Sequence, residues 1–439
     1  MGLLTFKGGI HPYDGKDLSK TKPIKAYDPS GELVYLMSQH IGAPAKAVVK
    51  PGDRVLVGQK IAEAGGFVSA PVHASVSGTV KSLGKQRNVV GDFVDSVVVE
   101  NDGLYEHVEF QKLDTLDGVE KSVVLDRIRE AGVVGMGGAG FPTHVKLSPK
   151  EPDKIEYCLV NGAECEPYLT SDYRRMLENP EWIIAGLKCM LHLFDNAVGY
   201  ICIEDNKSDC IKQFEALVKD EPRIEVKALK TKYPQGAERS LIYAATGRSI
   251  NSSMLPADAG CVVDNVDTVV AIYKAVMLGE PLMHRIVTVT GDAIKEPQNF
   301  EVRTGTNYVE LVDAAGGFVQ EPQKIISGGP MMGFGLYDLN VPVTKTSSAL
   351  LCMKEDYVTK YDHTACINCG RCVNACPAQL IPSKLADFAE HHDDEKFRKF
   401  DGMECCECGS CSFSCPAKRP LTQAIKSMRR TILANRKKK

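Results

Sequence analysis

Clustered cysteines are the residues of this chain whose types and spacing most clearly predict chemistry. Nine of the sixteen cysteines lie between residues 366 and 415, and eight of these form two arrays of identical spacing, each followed by proline: Cys366-x2-Cys369-x2-Cys372-x3-Cys376 and Cys405-x2-Cys408-x2-Cys411-x3-Cys415. Thiolates this closely spaced are ligands for iron–sulfur clusters or for zinc. A secreted disulfide framework would instead spread its pairs through a short chain. The arrays therefore predict a metal centre.

The spacing of both arrays resembles that of bacterial two-cluster ferredoxins, in which the last cysteine, before proline, ligates the other cluster. The resemblance implies two [4Fe–4S] clusters with crossed ligands. Cluster 1 takes Cys366, Cys369, Cys372 and Cys415, and cluster 2 takes Cys376, Cys405, Cys408 and Cys411. Cys406 fits neither set and is interpreted as a thiol that ligates nothing. Zinc, which favours two Cys-x2-Cys pairs around one ion, stays an alternative, as does a pair of clusters with no part in electron transfer.

Helices are predicted to position the arrays. Apolar residues recur at helical spacing in residues 381–392, between the arrays, and in residues 421–432, after the second array. The chain ends in the basic run Arg436 to Lys439. Residues 346–439 are therefore predicted to form a helical, dicluster ferredoxin-like domain with a basic tail.

A second candidate site is the glycine-rich segment Gly135-Met136-Gly137-Gly138-Ala139-Gly140. It satisfies G-x-G-x-x-G, but residues 124–132 before it are typical of an amphipathic helix that ends at Gly132, whereas a dinucleotide-binding loop follows a strand. A Rossmann loop is therefore disfavoured. Because glycine has no Cβ, the segment still allows a flat backbone whose N–H groups face an anion or a ring.

Two carboxylates follow a predicted strand at residues 155–160. Glu164 and Glu166 lie in the loop after it, in the sequence NGAECEP at 161–167. Ligands of open α/β sheets bind at the carboxyl ends of strands, so this loop is a candidate binding segment, with a solvated acidic loop as the alternative. Cys165 lies between the two carboxylates, and we predict that its thiol pKa is raised, which makes it a poor nucleophile.

Five segments resemble, in the same order, the flavin-bearing, NADH-oxidising subunit of respiratory complex I. They are GMGGAGFPT at 135–143, Lys146, NGAECEP at 161–167, YPQGAE at 233–238 and DNVDT at 264–268. The match extends from about Val123 to Gly335. With the cysteine arrays and the N-terminal module described below, the whole chain resembles the RnfC family, whose members belong to the Rnf complex, the membrane-bound ferredoxin:NAD oxidoreductase.

The resemblance implies one site in which FMN lies flat, without a covalent bond to the protein, and the nicotinamide of NAD(H) stacks on it. The residues implied for FMN are Gly135, Gly137, Gly138, Gly140, Lys146, Asn161, Glu164, Gly236 and Asn265. Those implied for NAD(H) are Phe141, Glu166 and Glu238. Lys146 is expected to neutralise charge on the flavin and Glu164 to lie near its edge. No side chain is expected to act as a general acid, a general base or a nucleophile.

The flanking modules complete the predicted fold. Short alternating strands with Pro-Gly turns in residues 50–80 predict a small β-sandwich, similar to a biotinyl/lipoyl-type barrel-sandwich domain but without a lysine at its tip. Residues 286–315 resemble the β-grasp, soluble-ligand-binding module of complex I. We therefore predict a multidomain α/β and α+β chain: a barrel-sandwich module at 1–110, an FMN/NAD-binding α/β domain at 111–280, a β-grasp module at 281–345 and the dicluster domain at 346–439.

Composition excludes several classes of protein. Lys+Arg 53 against Asp+Glu 56 gives a net charge of −3, so no basic face and no nucleic-acid partner are predicted. No stretch approaches the ~20 uncharged apolar residues of a membrane span, and the first residues lack the apolar core of a signal peptide. The chain is therefore expected at the cytoplasmic face of the cell membrane, as a peripheral protein held there by partner subunits.

The resemblance implies an NAD-linked flavin/iron–sulfur oxidoreductase within an ion-translocating complex. Hydride transfer between NAD(H) and FMN is coupled to one-electron transfer through two [4Fe–4S] clusters. Its implied partners are the membrane subunits and the ferredoxin-accepting subunit of the complex. Three alternatives stay open: a flavin/iron–sulfur cobalamin reductase, a flavin-free ferredoxin-like carrier or scaffold, and a zinc-stabilised adaptor.

Overall fold

The structure, a computed structural model of the chain, describes residues 3–436, so residues 437–439 of the predicted basic tail lie outside the described residues. Strands and helices are numbered along the chain. The strands are β1 Lys25–Tyr27, β2 Glu32–Leu36, β3 Lys46–Ala47, β4 Arg54–Val55, β5 Lys60–Glu63, β6 Val72–His73, β7 Gly78–Arg87, β8 Phe93–Asn101, β9 Tyr157–Gly162, β10 Val198–Glu204, β11 Ile224–Leu229, β12 Cys261–Asn265, β13 His284–Thr290, β14 Gln298–Arg303, β15 Lys324–Ser327, β16 Phe334–Leu336 and β17 Ala349–Met353. The helices are α1 Lys121–Glu130, α2 Thr143–Lys146, α3 Ser171–Glu178, α4 Pro180–Leu193, α5 Ser208–Leu217, α6 Glu238–Thr246, α7 Val266–Tyr273, α8 Tyr308–Ala314, α9 Arg371–Ala375, α10 Pro382–Glu390, α11 Asp394–Lys399, α12 Ser410–Ser414 and α13 Leu421–Arg436. Within residues 3–436, none of these helices has the length and apolar character needed to cross a membrane.

The N-terminal module is a small β-sandwich of two antiparallel sheets. One sheet has the strand order β2-β8-β7-β4 and the other has the order β3-β5-β6. Leu33, Val55, Ile61 and Val97 from the two sheets share one buried core. The predicted β-sandwich is confirmed.

The flavin-type domain is built on a parallel sheet with the order β11-β10-β9-β12. Helices cover both of its faces, so successive residues of β9 are buried against different elements. Cys158 and Val160 pack on one face with α4 and α7, while Leu159 packs on the other face with α6. Burial on both faces explains why these strands have apolar runs and not alternating ones. The carboxyl ends of β9 and β12 lie side by side, because the two strands are neighbours.

The third module is a mixed sheet with the order β1-β14-β13-β17-β15-β16, and α8 packs against it through Tyr308 and Leu311. Two of its strands lie outside the predicted range of 281–345. β1, near the N-terminus, pairs in parallel with β14, and β17 pairs with β13 and β15. The sheet thus draws on residues that local patterning assigned to the first and last modules. The division into four modules otherwise stays a prediction.

The C-terminal domain is helical, and its two arrays fold in the same way. α9 carries Cys372 and ends one residue before Cys376, while α12 carries Cys411 and ends one residue before Cys415. The two predicted helices are present as α10 and α13, which pack together in one apolar cluster. The predicted helical ferredoxin-like form is confirmed.

A buried lysine joins three modules. The Nζ of Lys345, after the third module's core strands, donates to the carbonyl oxygens of Pro71 at 2.6 Å and Gly132 at 2.7 Å. Its backbone N–H donates to Oε1 of Gln39 at 3.0 Å. Burial lowers the pKa of Lys345 to about 7. The first module, the flavin-type domain and the third module therefore meet at one point, directly before the glycine-rich segment.

Candidate functional site

The glycine-rich segment forms an exposed loop between α1 and α2. A bridge between Val134 and Pro142 closes the loop, and the N–H of Gly135 donates to the Phe141 carbonyl at 2.8 Å. A helix precedes the loop, as predicted, so it is not a Rossmann turn. Residues 137–139 are exposed, and a Cβ at Gly138 would have no atom within 4 Å. The tip therefore presents bare backbone to a ligand.

Gly140 at the base of the loop is clamped by two other modules. A Cβ at this position would lie 2.7 Å from Cγ2 of Thr346 and 3.1 Å from the carbonyl oxygen of Gln39. The Gly140 carbonyl also accepts the N–H of Ile41 at 3.3 Å. The position of the loop therefore depends on the first and third modules as well as on its own domain.

Asn161 and Asn265 lie opposite each other at the carboxyl ends of β9 and β12. Nδ2 of Asn161 donates to the Gly236 carbonyl at 2.8 Å, and its Oδ1 accepts the Ala163 N–H at 3.2 Å. The asparagine thus joins the 161–167 loop to the 233–238 loop. Its amide nitrogen keeps one more N–H for a ligand.

Asn265 is joined to two acidic residues. Its Nδ2 donates to Oδ2 of Asp172 at 2.6 Å, and its Oδ1 accepts the N–H of Asp267 at 2.9 Å. The N–H of Asp172 in turn donates to Oε1 of Glu164 at 2.7 Å. The pKa of Asp172 rises to about 7, because burial disfavours its charged form and Glu164 and Asp267 add negative charge. A protonated carboxyl in this position is the form favoured near neutral pH.

Lys146 and Asp264 form an ion pair beside these residues. The Lys146 Nζ donates to Oδ1 of Asp264 at 3.1 Å and to the Val263 carbonyl at 2.6 Å. Burial alone would lower the pKa of Lys146, but the charge of Asp264 outweighs it and raises that pKa. Burial also raises the pKa of Asp264. Glu238, the first residue of α6, lies exposed and adds negative charge near Lys146.

Several buried polar atoms at this site have no hydrogen-bond partner within residues 3–436. They are Oε2 of Glu164, Oδ2 of Asp264 and both Oε1 and Nε2 of Gln235. Buried polar groups are normally hydrogen-bonded, and these three residues lie in three of the five segments singled out above. Together with the bare glycine tip and the Lys146 ammonium, they fit a planar, anionic ligand with many polar atoms, such as FMN.

The residues predicted to contact NAD(H) are only partly free to do so. Oε1 of Glu166 accepts the N–H groups of Met331 at 2.8 Å and Met332 at 3.0 Å, and burial raises the pKa of this carboxyl. Glu166 therefore ties the third module to the 161–167 loop. Phe141 lies half-buried at the base of the glycine loop. The nicotinamide contacts of Phe141, Glu166 and Glu238 stay predictions.

Cys165 has the raised pKa that the sequence predicts, although for a different main reason. Burial raises the pKa of its thiol to about 12, and the charge of Glu204 adds more than that of the adjacent Glu166. The N–H of Gly236 donates to its sulfur at 3.3 Å. Cys165 is therefore a packing residue between two loops.

The four cysteines predicted for cluster 2 line one cavity of about 360 Å³, and Cys406 lies beside them: Cys376, Cys405, Cys408 and Cys411. Cys376 reaches this cavity from the first array, which fits crossed ligation of a [4Fe–4S] cluster. Cys372 and Cys415, predicted for cluster 1, pack in a common apolar cluster, whereas Cys366 and Cys369 are exposed. Within residues 3–436, no three His, Cys, Asp or Glu side chains are close enough to hold a single metal ion.

Tyr233 connects the flavin-type site to the cluster 2 cavity. Its ring is buried, and its hydroxyl donates to the Cys408 carbonyl at 2.7 Å. Tyr233 opens the YPQGAE segment, whose Gly236 contacts Asn161. A second link, between Arg239 and Glu404 at 2.9 Å, joins α6 to the same part of the second array. The two candidate sites are therefore in direct contact.

Comparison with known proteins agrees with this geometry along the whole chain. Family models match for the RnfC barrel sandwich hybrid domain at residues 4–104, the Nuo51 FMN-binding domain at 128–274, the SLBB domain at 286–335 and a 4Fe-4S dicluster domain at 365–418. The C-type subunit of the Na(+)-translocating ferredoxin:NAD(+) oxidoreductase complex of Acetobacterium woodii is 44% identical over 436 residues, which are 99% of this chain and 98% of that protein. The chain belongs to the RnfC family.

Further RnfC relatives are also similar. The corresponding subunit of the proton-translocating ferredoxin:NAD(+) oxidoreductase complex of Clostridium ljungdahlii is 46% identical over 388 residues, covering 88% of this chain and 84% of that protein. Its counterpart in the ion-translocating oxidoreductase complex of Pseudomonas aeruginosa is 38% identical over 397 residues, covering 90% and 51%. Among solved structures, an NAD+-reducing [NiFe]-hydrogenase in the H2-reduced state matches 72% of this chain and 61% of that chain with 16% identity and a TM-score of 0.49.

Membership of the RnfC family confirms the predicted architecture and cofactors. The FMN-binding and dicluster models cover the residues predicted for FMN and for two [4Fe–4S] clusters. The prediction of an electron-transfer subunit of a multi-subunit oxidoreductase complex is confirmed at this level. The cobalamin reductase, the flavin-free carrier and the zinc adaptor are not favoured by these matches.

Several residues of this RnfC-type site were not singled out from the sequence. Asp172 and Gln235 contact or lie within predicted segments, so their position in those segments was an available signal. Lys16 and Lys207 are buried lysines whose Nζ atoms donate to carbonyl oxygens of the 161–167 loop. A lone lysine in a polar stretch looks like a solvated residue, so nothing local distinguishes these two.

Asparagine at position 172 is expected to change how stability depends on pH. An unfolded aspartate ionises near pH 3.9, whereas folded Asp172 keeps its proton to about pH 7. The folded state thus holds a proton that the unfolded state has released, and stability falls as pH rises through this window by at most about 1.4 kcal/mol per pH unit. Asp172→Asn removes this contribution and still accepts from Asn265. Relative to wild type, the variant should gain stability between pH 5.5 and 7.

Thermal unfolding of the full chain at several pH values measures this effect. Asp153→Asn, which alters an exposed carboxylate on a surface turn, is the matched control and should leave the pH dependence unchanged. Parallel curves for wild type and Asp172→Asn would contradict the assignment.

Proposed function

We propose that this chain is the peripheral, NAD-linked subunit of a membrane-bound, ion-translocating ferredoxin:NAD oxidoreductase. It would exchange electrons with NAD(H) and pass them, through its own two clusters, between NAD(H) and the ferredoxin-accepting subunit. Membrane partners would hold it at the cytoplasmic face. The names of the relatives from Acetobacterium woodii and Clostridium ljungdahlii support this proposal, since both are subunits of ferredoxin:NAD(+) oxidoreductase complexes.

The chain's own residues have separate tasks in this function. FMN, when bound, exchanges two electrons with NAD(H) as hydride and single electrons with iron–sulfur clusters. Lys146 supplies positive charge, and the exposed glycine tip supplies N–H groups and close approach. The residues proposed to hold FMN are Gly135, Gly137, Gly138, Gly140, Lys146, Asn161, Glu164, Gly236 and Asn265. Phe141, Glu166 and Glu238 are proposed to line the nicotinamide side.

The observation that carries the proposal is the contact between the flavin-type site and the second cysteine array. Tyr233 reaches from the YPQGAE segment to the Cys408 carbonyl, and Cys165, Tyr233, Cys406 and Cys408 belong to one apolar cluster. Cys366 and Cys369 of the other ligand set are exposed, away from this contact. We therefore propose that cluster 2 exchanges electrons with the flavin site and that cluster 1 faces the partner subunit.

A matched pair of serine variants tests the function and this order. Cys366→Ser removes one ligand of cluster 1, and Cys405→Ser removes the equivalent ligand of cluster 2. After anaerobic purification, NADH should bleach the flavin in both variants. EPR should show that NADH reduces cluster 2 in Cys366→Ser at the wild-type rate. In Cys405→Ser, cluster 1 should stay oxidised with NADH, although dithionite reduces it.

The outcomes separate the two parts of the proposal. If NADH leaves the wild-type flavin oxidised, the proposed function is wrong. If NADH bleaches the flavin and reduces cluster 1 in Cys405→Ser as fast as in wild type, the function stands and the proposed order is wrong.

A further inference from the structure

The N-terminal residues 4–16, here named the strap, cross from the flavin-type domain to the cysteine arrays. At one point the strap runs beside β11, where the N–H of Leu4 donates to the Ala228 carbonyl at 3.2 Å and the Leu4 carbonyl accepts the Lys230 N–H at 2.8 Å. Further on, Ile10 and Tyr233 exchange two backbone hydrogen bonds at 2.8 and 2.9 Å. The strap is therefore a built part of the flavin-type domain, although it is distant in sequence.

Between these points the strap contacts the crossed ligand of cluster 2. The N–H of Gly9 donates to the Ala375 carbonyl at 2.9 Å. A Cβ at Gly8 would lie 2.5 Å from the carbonyl oxygen and 2.9 Å from the carbonyl carbon of Cys376. Both of these are backbone atoms, which cannot rotate away as a side chain does. Gly8 thus allows two chain segments to touch where any other residue would separate them.

The strap also closes the apolar cluster between the two sites. The side chain of Ile10 is 8% exposed and packs in one cluster with Tyr233, Ala375 and Cys408. At the other end of the strap, the Lys16 Nζ donates to the carbonyl oxygens of Glu164 at 2.9 Å and of Glu166 at 3.1 Å. One short segment is therefore tied both to the 161–167 loop and to the cysteine that crosses between the arrays.

We propose that the strap is a positioning element for cluster 2, in which Gly8 sets the place of the Cys376 segment and Ile10 keeps water from the Cys408 side. This rests on the proposed ligation of cluster 2 by Cys376 and Cys408. The strap does not contact the exposed residues Cys366 and Cys369, so its effect is specific to one of the two clusters.

Gly8→Ala tests the proposal, with Gly118→Ala as a matched control. Gly8 and Gly118 both have φ near +75°, but a Cβ at Gly118 would meet nothing within 4 Å. Both variants thus carry the same backbone strain, and only Gly8→Ala pushes against Cys376. The full chain is purified anaerobically, and iron, sulfide and FMN are counted before EPR of the reduced sample. In Gly8→Ala, iron should fall from about eight to about four atoms per chain, with loss of the cluster 2 signal and unchanged FMN. Gly118→Ala should match wild type.

Each outcome decides the proposal. A cluster 2 signal and iron content equal to wild type in Gly8→Ala overturn it, and if Cys376→Ser still removes cluster 2, the ligation stands while the strap's role does not. If Gly8→Ala loses both flavin and iron because it fails to fold, Ile10→Ala decides. An altered cluster 2 EPR signal with FMN retained supports the proposal, whereas an unchanged signal in Ile10→Ala refutes it.

Discussion

Replacing Gly138 by valine is expected to remove FMN from the chain while leaving its fold intact. A Cβ at Gly138 meets no protein atom within 4 Å, and its φ lies outside the left-handed region that favours glycine. The protein itself therefore accommodates a side chain at this position. If the exposed tip contacts FMN as proposed, the branched side chain of valine occupies the space that the ligand needs. We expect binding to weaken at least 100-fold, or about 2.7 kcal/mol.

Flavin fluorescence titration of the full chain measures this loss, and thermal unfolding without added FMN checks the fold. Gly84→Val is the matched control, because Gly84 in β7 also has open space around its Cβ position and an ordinary φ. It should bind FMN as wild type does. Unchanged FMN affinity in Gly138→Val would mean that the glycine loop does not hold the flavin.

Cys376→Ser is expected to remove cluster 2, although Cys376 belongs to the first array. Its thiol lines the same cavity as Cys405, Cys408 and Cys411, and the strap fixes its backbone there. Serine is a much weaker ligand for iron than a thiolate, so about half of the iron should be lost. EPR should then show only the signal that Cys405→Ser retains.

Cys415→Ser is expected to give the reverse result, because Cys415 packs with Cys372 of the first array. Cys261→Ser, which changes a buried thiol of β12 far along the chain from either array, controls for the loss of a cysteine as such. If Cys376→Ser removes cluster 1 and Cys415→Ser removes cluster 2, each array holds its own cluster and crossed ligation is wrong.

Local patterns predicted the parts of this molecule that repeat at short range. The spacing of the arrays, the helical periodicity of α10 and α13, and the helix before the glycine loop are all set by residues within one or two turns of each other. The clamp on Gly140 is different, because Gln39 and Thr346 lie far away in sequence and contact it only in the folded chain. Nothing in either neighbourhood marks these contacts.

The roles of the predicted site residues show the same limit. Asn161 and Glu166 were singled out as ligand contacts, and the structure adds that each also joins two loops through hydrogen bonds. Such double roles depend on which backbone groups lie opposite, and this is decided by tertiary packing. Lys345 and Lys16 were missed for a related reason, since burial of a lysine follows from the surrounding modules and not from its own sequence neighbours.

The pairing of β1 with β14 has a consequence for the synthesis of the chain. Lys25 leaves the ribosome early, but its partner Phe300 is made only after most of the polypeptide has emerged. At about 5–20 residues per second, the first strand waits roughly 15–60 s for its neighbour. The barrel-sandwich can close during this delay, while residues 25–27 cannot complete their sheet. Any product that terminates before residue 300 therefore carries an orphan edge near its start, which quality-control proteases or chaperones can read as a sign of an unfinished protein.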